Sequence, residues 1–135
     1  MITDTSEREL LTLSQRLLEV IDNRDWEAYT ELCDPSLTAF EPEAVGNRVH
    51  GLDFHHFYFQ GEGTGQPQRS TICAPEVRIM GDVAVVTYVR LTQRIEEGER
   101  STSTTTAEET RVWQRQNGIW KHVHFHRSSG GTVQL

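Results

Sequence analysis

The sequence EETRVWQRQNGIWKHVHFHR, residues 108–127, decides the fold class of this chain. On both sides of Asn117-Gly118, β-branched and aromatic residues recur with a period of two, which predicts two β-strands. An Asn-Gly pair readily adopts the positive φ angles of a tight turn, so we expect the two strands to form an antiparallel hairpin.

The pairing across this turn determines which side chains share a face of the sheet. If Gln116 pairs with Ile119, Arg111 lies opposite His124 and Arg127 points to the other face.

The alternative is a three-residue loop with a glycine bulge, which pairs Arg115 with Ile119. Arg111 then lies opposite Val123, on the side that also carries Arg127. We favour this bulged pairing because it groups three apolar side chains into one core face: Trp113, Val123 and Phe125.

Two more strands precede the hairpin, and short turns join all four. The predicted strands are Thr71 to Met80, Val83 to Glu96, Thr102 to Gln116 and Ile119 to Arg127. Turns at Gly81-Asp82 and near Glu97-Gly98-Glu99 are too short for crossovers, so we expect an antiparallel sheet. Strands of this length coil and curve, which leaves a concave side that a helix can fill.

The N-terminal part is helical. Ser6-Glu7-Arg8-Glu9 has capping-box spacing, and an apolar stripe of about four turns follows at Leu10, Leu13, Leu17 and Ile21. Asp25 is the expected N-cap of a shorter helix.

Three short elements are expected between the helices and the meander. Leu37 to Phe40 and Val49 to Gly51 are short strands, and the aromatic run within Leu52 to Gln60 favours a short helix. Gly61 to Gln68 is a glycine-rich loop. Helices followed by a meander predict an α+β fold in a single domain, residues 1–135, with flexible ends at 1–5 and 129–135.

Composition excludes several classes of protein. The 135 residues carry 13 basic and 20 acidic side chains, a formal charge of −7 that disfavours nucleic acid as a partner. The longest apolar run, Val83 to Val86, is too short to span a membrane. Cys33 and Cys73 stand alone, which argues against a zinc knuckle or a disulfide framework. We therefore expect a cytoplasmic protein without a membrane partner.

Three arginines lie within the predicted strands or close to their ends: Arg90, Arg111 and Arg127. Guanidinium groups inside a curved sheet repel one another unless an anion or an acidic side chain joins them. One hypothesis is a pocket for a small anion, preferably a carboxylate. The other is internal neutralisation by acidic side chains, of which the candidates are Glu41, Glu43, Glu108 and Glu109.

Histidines at positions 122, 124 and 126 alternate and should point to one side of the last strand. Alternate side chains are roughly 6.5–7 Å apart, so one ion reaches all three only awkwardly, and we expect no metal site. Nucleophile-elbow, phosphate-loop, dinucleotide and HExxH motifs are absent, and no cofactor is expected. An acid/base dyad of Tyr29 or Tyr88 with Asp53 remains an open alternative.

A series of sequence blocks, in order along the chain, resembles one known family. The blocks are Cys33-Asp34-Pro35, Thr38 to Ala44, Gly51 to His55 with Phe57 to Phe59, Glu108 to Trp113, and Val123 to Ser128. From about Glu9 to Ser128 they are similar to the association (hub) domain of calcium/calmodulin-dependent protein kinase II.

This resemblance implies an NTF2-like cone, in which a curved antiparallel sheet wraps around the long N-terminal helix. It implies a non-catalytic domain that assembles with itself into two stacked rings of twelve or fourteen subunits and displays kinase domains. It further implies a cleft lined by Arg90, Arg111 and Arg127, with Tyr29 and His55 near its mouth, for small carboxylates or acidic peptide segments.

The sequence departs from the full-length kinases in two respects. It contains no kinase motif and no basic calmodulin-binding helix, which leaves an excised domain or a free-standing hub-like protein; Met1 favours the latter. The loop Gln60 to Gln68 lacks the tryptophan found there in the animal kinases, so gating by that ring is not expected.

Two other functions compete with the oligomerisation module. One is an NTF2-fold enzyme, similar to ketosteroid isomerase or SnoaL, acting on a small polar substrate. The other is a carboxylate-binding protein whose oligomeric state responds to its ligand.

Overall fold

A computed structural model describes residues 5–60, 67–95 and 102–129 and confirms the α+β class. In chain order the elements are α1 (Thr5–Asp22), α2 (Trp26–Leu32), β1 (Cys33–Phe40), a 3-10 turn (Pro42–Ala44), β2 (Val49–His50), α3 (Asp53–Gln60), β3 (Gln68–Met80), β4 (Val83–Ile95), β5 (Thr102–Gln116) and β6 (Ile119–Ser129).

Some of the sequence predictions fall on residues outside the described ranges. Most of the predicted glycine-rich loop (residues 61–66), the predicted turn at 97–99 and the chain ends at 1–4 and 130–135 are among them. Thr5 and Ser129, which the sequence assigned to flexible ends, begin α1 and end β6.

Helix α1 packs its predicted apolar stripe against the sheet. Leu10 and Leu17 are fully buried, whereas Leu13 and Ile21 are partly buried at the edge of the stripe. Ser14 is also fully buried, because its Oγ accepts a hydrogen bond of 3.2 Å from the indole nitrogen of Trp113. This bond satisfies two polar groups that would otherwise be buried without a partner.

Helix α2 begins at the predicted cap. The Asp25 carboxylate accepts a hydrogen bond of 3.1 Å from the backbone nitrogen of Ala28. The helix ends at Leu32, and β1 follows directly from Cys33, four residues earlier than the strand expected from Leu37.

The six strands form one curved sheet in the order β2-β1-β6-β5-β4-β3. The four long strands form the predicted antiparallel meander. The sheet is not wholly antiparallel, however, because β1 runs parallel to β6, with Ala39 opposite Phe125. Local turn signals identify neighbours joined by hairpins; the pairing of β1 with β6 joins residues more than 80 positions apart, which such signals do not describe.

The predicted register at the β5–β6 turn is wrong. Gln116 pairs with Ile119, and the two turn residues have the positive φ angles of 52° and 82° that a two-residue turn requires. A bulge does occur, but farther along β6 at Val123. Arg111 therefore lies opposite Phe125, not opposite Val123.

The same bulge separates the three histidines. His122 pairs with Trp113 and is fully buried, whereas His124 pairs with Val112 on the opposite face and is half-buried. The expectation that all three histidines point to one side is wrong, because an extra residue in a strand reverses the alternation. His122 takes the core position that the sequence assigned to Val123.

Strand β4 defines the two faces of the sheet. Its inner face, towards α1, carries five buried residues: Ala84, Val86, Tyr88, Arg90 and Thr92. Its other face carries five half-buried residues, which we call the outer row: Val83, Val85, Thr87, Val89 and Leu91. In the described ranges, no helix is both long enough and apolar enough to cross a bilayer.

Candidate functional site

Two of the three predicted arginines are buried on the inner face of the sheet, and both contact the same glutamate. Arg90 is 5% exposed and Arg111 is 1% exposed. The carboxylate of Glu109 accepts a hydrogen bond of 3.2 Å from Arg90 Nη1 on one oxygen and of 3.0 Å from Arg111 Nη2 on the other. Glu109 is thus the shared counterion of both guanidinium groups.

Tyr88 and Asp22 extend this first network. The Tyr88 hydroxyl donates to Glu109 at 2.6 Å and accepts from Arg111 Nε at 3.1 Å. At the other end, Asp22 Oδ1 accepts from Arg90 Nη2 at 3.2 Å and from Ser70 Oγ at 3.0 Å. Asp22 ends α1, so the helix and the sheet are joined through buried ion pairs.

A groove of about 510 Å³ lies between α1 and the start of β3. Asp22 and Ser70, both partners of Arg90, line it. The groove therefore borders the first network on the side of Arg90.

The electrostatics of the first network favour its charged form. Burial raises the pKa of Glu109, but the charges of Arg111 and Arg90 outweigh burial and hold that pKa at about 2. Burial likewise lowers the pKa of Arg111, and Glu109 raises it above the ordinary value of arginine. Burial raises the pKa of Tyr88 to about 12, so its hydroxyl keeps its proton.

A second network contains the other predicted residues. Tyr29 Oη and His55 Nδ1 are 3.5 Å apart, and His55 Nε2 lies 2.7 Å from a Glu41 oxygen. The second Glu41 oxygen is 3.5 Å from Arg127 Nη2, which also pairs with Glu43. Burial raises the pKa of Tyr29 well above its ordinary value.

Phe125 joins the two networks. The guanidinium carbon of Arg111 lies 4.3 Å from the centre of the Phe125 ring, within cation–π range. The rings of His55 and His122 lie 5.4 and 5.8 Å from the same centre. The sequence predicted Phe125 as a core residue on the same face as Arg111 and Arg127. Its position directly opposite Arg111 depends on the displaced bulge, which alternation alone does not locate.

His122 and Arg111 each retain one polar atom that has no hydrogen-bond partner among the described residues. His122 Nδ1 lies 3.5 Å from the sulfur of Cys33, a free thiol whose pKa burial raises to about 12. In the part of the chain that the structure describes, His122 Nε2 and Arg111 Nη1 are buried side-chain atoms with no hydrogen-bond partner. Such atoms are rare in folded proteins and indicate a missing partner.

Internal neutralisation, one of the two hypotheses from the sequence, accounts for all of the charge of the three arginines. Three of the candidate counterions take part, namely Glu41, Glu43 and Glu109. Glu108 is exposed, and the sequence did not suggest Asp22. Tyr88 and Tyr29 bond to Glu109 and His55, and not to Asp53 as the dyad hypothesis supposed.

The described ranges contain no group of three or more His, Cys, Asp or Glu side chains that could hold a metal ion.

Comparison with known proteins gives a family and close relatives. A family model described as the calcium/calmodulin-dependent protein kinase II association domain matches residues 6–131. Over 131 residues the chain is 47% identical to the delta subunit of calcium/calmodulin-dependent protein kinase type II from the rabbit, Oryctolagus cuniculus. That alignment covers 95% of this chain and 24% of the subunit, so the chain spans about a quarter of its relative.

Solved structures agree with the sequence matches. The hub homology domain of this kinase from Chlamydomonas reinhardtii is 43% identical, with a TM-score of 0.88, over 95% of this chain and 100% of that one. An NTF2-like superfamily protein from Salmonella enterica is 20% identical, with a TM-score of 0.80, over 97% of this chain and 95% of that one, which confirms the NTF2-like fold. The expected family is confirmed as well: the chain belongs to the calcium/calmodulin-dependent protein kinase II association domain family.

Proposed function

We propose that this chain is a non-catalytic association domain that assembles with copies of itself. The observation that carries the proposal is the match over residues 6–131 to the association-domain family, together with a TM-score of 0.88 over the full length of a hub homology domain. Family and fold agree over nearly the whole chain, and the surface described next supplies apolar area for self-association.

The outer row of β4 supports self-association. Val85, Val89 and Leu91 place aliphatic side chains on a sheet face that this chain leaves half-exposed. Polar side chains flank the row, with Glu76 opposite Thr87 and Glu108 opposite Val89. The partly exposed aliphatic side chains among them supply apolar area for an interface. A two-fold axis would lay the same row of a second copy on it, an isologous contact that closes after two subunits.

A second kind of surface is needed for a ring, because a ring requires a heterologous contact between two different patches. The described residues include four exposed large apolar side chains away from the outer row, namely Val45, Phe57, Tyr58 and Ile119. Met80 pairs with Val83, and Ile95 continues the outer row along β4. We propose that some of the four complete the contact around the ring.

The proposed assembly is a two-layered ring of twelve to fourteen subunits, in which isologous contacts join the layers. Its partners are further copies of this chain and kinase subunits that carry the same domain. The free thiols of Cys33 and Cys73 suit the cytoplasm, where cysteines remain reduced.

The interior cleft is the proposed ligand site. We place a small carboxylate, or an acidic peptide side chain, among Arg90, Arg111, Arg127, Tyr29 and His55. Arg111 supports this proposal best, since its Nη1 has no partner among the described residues while its other guanidinium nitrogens are bonded.

Light scattering on the purified chain tests the association. Val89→Glu places a charge in the outer row and should reduce the particle to a smaller species, because burying an unpaired carboxylate is unfavourable. Thr12→Glu, at an exposed position of α1, adds the same charge and should leave the mass unchanged. A monomeric wild-type chain, or equal masses for the two variants, contradicts the proposal.

An NTF2-fold enzyme is the second candidate, favoured by the Tyr29–His55–Glu41 hydrogen-bond chain. This order of groups can relay a proton. The raised pKa of Tyr29 makes the phenol a weak acid at neutral pH, which counts against the enzyme. A particle with the mass of a dimer in light scattering would favour the enzyme over the ring-forming association domain.

A further inference from the structure

His122 is a polar residue at the centre of the core that neither network uses. It is fully buried between Trp113, whose ring centre is 5.2 Å away, and Phe125 at 5.8 Å. The guanidinium carbon of Arg111 lies over the same Phe125 ring, 4.3 Å from its centre. The two unpartnered atoms, His122 Nε2 and Arg111 Nη1, therefore belong to residues that share one aromatic neighbour.

Both unpartnered atoms favour an acceptor as their missing partner. Arg111 Nη1 can only donate. The Cys33 thiol keeps its proton, and its sulfur lies 3.5 Å from His122 Nδ1. When the thiol donates to Nδ1, the single proton of the neutral imidazole lies on Nε2. His122 Nε2 is then a donor as well. A carboxylate has two acceptor oxygens, one for each of these atoms.

The charge of the surroundings opposes an anion that arrives alone. The two networks contain three arginines and four carboxylates: Arg90, Arg111, Arg127, Asp22, Glu41, Glu43 and Glu109. With neutral histidines the site is already negative by one charge. A buried charge that is added without compensation is strongly unfavourable.

From these contacts we infer that His122 takes up a proton when a small carboxylate binds between its Nε2 and Arg111 Nη1. The inference rests on the carboxylate cleft proposed above and adds a residue and a proton to it. A protonated His122 cancels the added charge and returns the site to its charge before binding. We assign its Nε2–H and the Arg111 Nη1–H as the donors to the two carboxylate oxygens.

Without a ligand, no carboxylate among the described residues holds that proton; a backbone hydrogen bond at His124 favours it, but burial and the charge of Arg111 outweigh that bond. The titratable groups that face it are Cys33 of β1, His55 of α3, Arg111 of β5 and His124 of its own strand, and Tyr29 of α2 interacts with Cys33. None of these is a carboxylate. Burial and then the charge of Arg111 lower the pKa of His122 well below its ordinary value, so the free protein keeps this ring neutral.

Calorimetric titration of the unmodified chain with sodium acetate tests the inference. Paired titrations in phosphate and in Tris, whose ionisation enthalpies differ, count the protons exchanged on binding. We expect uptake of about one proton per acetate, with affinity falling by about tenfold per pH unit above neutrality. Acetamide, which has the same shape without the charge, should exchange no proton.

Two variants identify the titrating residue. His122→Gln keeps a hydrogen-bonding group near the position of Nε2 but takes up no proton, so acetate binding should lose its pH dependence and weaken at pH 6.5. His124→Gln changes the next histidine, on the opposite face of the sheet, and should bind like the wild type.

Each outcome decides a separate point. Acetate binding without proton uptake, or uptake that persists in His122→Gln, overturns the role of His122 while the cleft stands. No acetate binding at any pH overturns the cleft and this inference together. Should His122→Gln fail to fold, the proton count on the unmodified chain still supports or contradicts the inference.

Discussion

Glu109 and Arg111 lie two residues apart on β5, point to the same face of the sheet and form a buried ion pair of 3.0 Å. The period of two in a strand places such residues side by side. The pair carries opposite charges in the core, where Arg90 shares the same carboxylate. The charge that defines the candidate cleft is therefore balanced mainly by the fold itself.

Replacing Glu109 should destabilise the fold strongly. Glu109→Gln keeps the shape of the side chain but leaves two buried guanidinium groups without their shared counterion. We expect a loss of about 3–5 kcal/mol in the free energy of unfolding, the range for breaking a buried ion pair. Urea titration followed by circular dichroism measures it.

Glu108→Gln is the matched control, because this neighbour is exposed on the other face of β5. Its effect should stay within about 0.5 kcal/mol, as for most surface substitutions. Equal stabilities for the two variants would show that Glu109 does not hold the arginines.

Acid should weaken the fold through His122. Burial and Arg111 lower its pKa in the folded chain, whereas the unfolded chain titrates near 6.5. Below pH 6.5 the unfolded state therefore binds more protons than the folded state. The contribution of the neutral His122 to the free energy of unfolding is fully present above pH 6.5 and falls by up to about 1.4 kcal/mol per pH unit as the pH drops. A second loss of stability follows between about pH 4.5 and 2, because Glu109 is protonated at a higher pH in the unfolded chain than in the folded one.

Urea midpoints at pH 7.5 and 5.5, at one protein concentration, measure the first loss. His122→Gln should flatten the difference between the two pH values, and the exposed variant His50→Gln should keep it. An unchanged pH dependence in His122→Gln would mean that other groups cause the acid sensitivity.

The stability of the β5–β6 turn should depend on Gly118 through its backbone conformation and not through side-chain packing. Its φ is 82°, and no atom lies within 4 Å of the position that a Cβ would occupy. Gly118→Ala therefore adds no clash and only the strain of a positive φ, which we expect to lower stability by about 1–2 kcal/mol. Asn117→Gly, at φ 52°, should have a much smaller effect in the same urea titration. Similar losses for both would contradict the two-residue turn.

Much of the fold follows from local sequence signals. The apolar stripe of α1 identifies the helix that packs on the sheet, and Asp25 marks the start of α2 where the structure has it. Short turns predict the meander correctly. These features depend on neighbours within a few residues, which propensity and periodicity describe well.

The site was harder to predict because its geometry depends on one displaced bulge and on long-range pairing. The bulge at Val123, six residues from the turn, places His122 in the core and Arg111 beside Phe125. Asp22, at the end of α1, meets Arg90 only once the helix is packed on the sheet. Spacing along the chain contains no signal for either contact.

The mass of the assembled particle tests the central claim of self-association most directly. Native mass spectrometry of the full chain at neutral pH should show a species of twelve to fourteen times the 15.5 kDa subunit. A dilution series should keep that species down to low micromolar concentration, because closed rings satisfy every contact. A spectrum of monomers or plain dimers at every concentration would contradict the proposed ring.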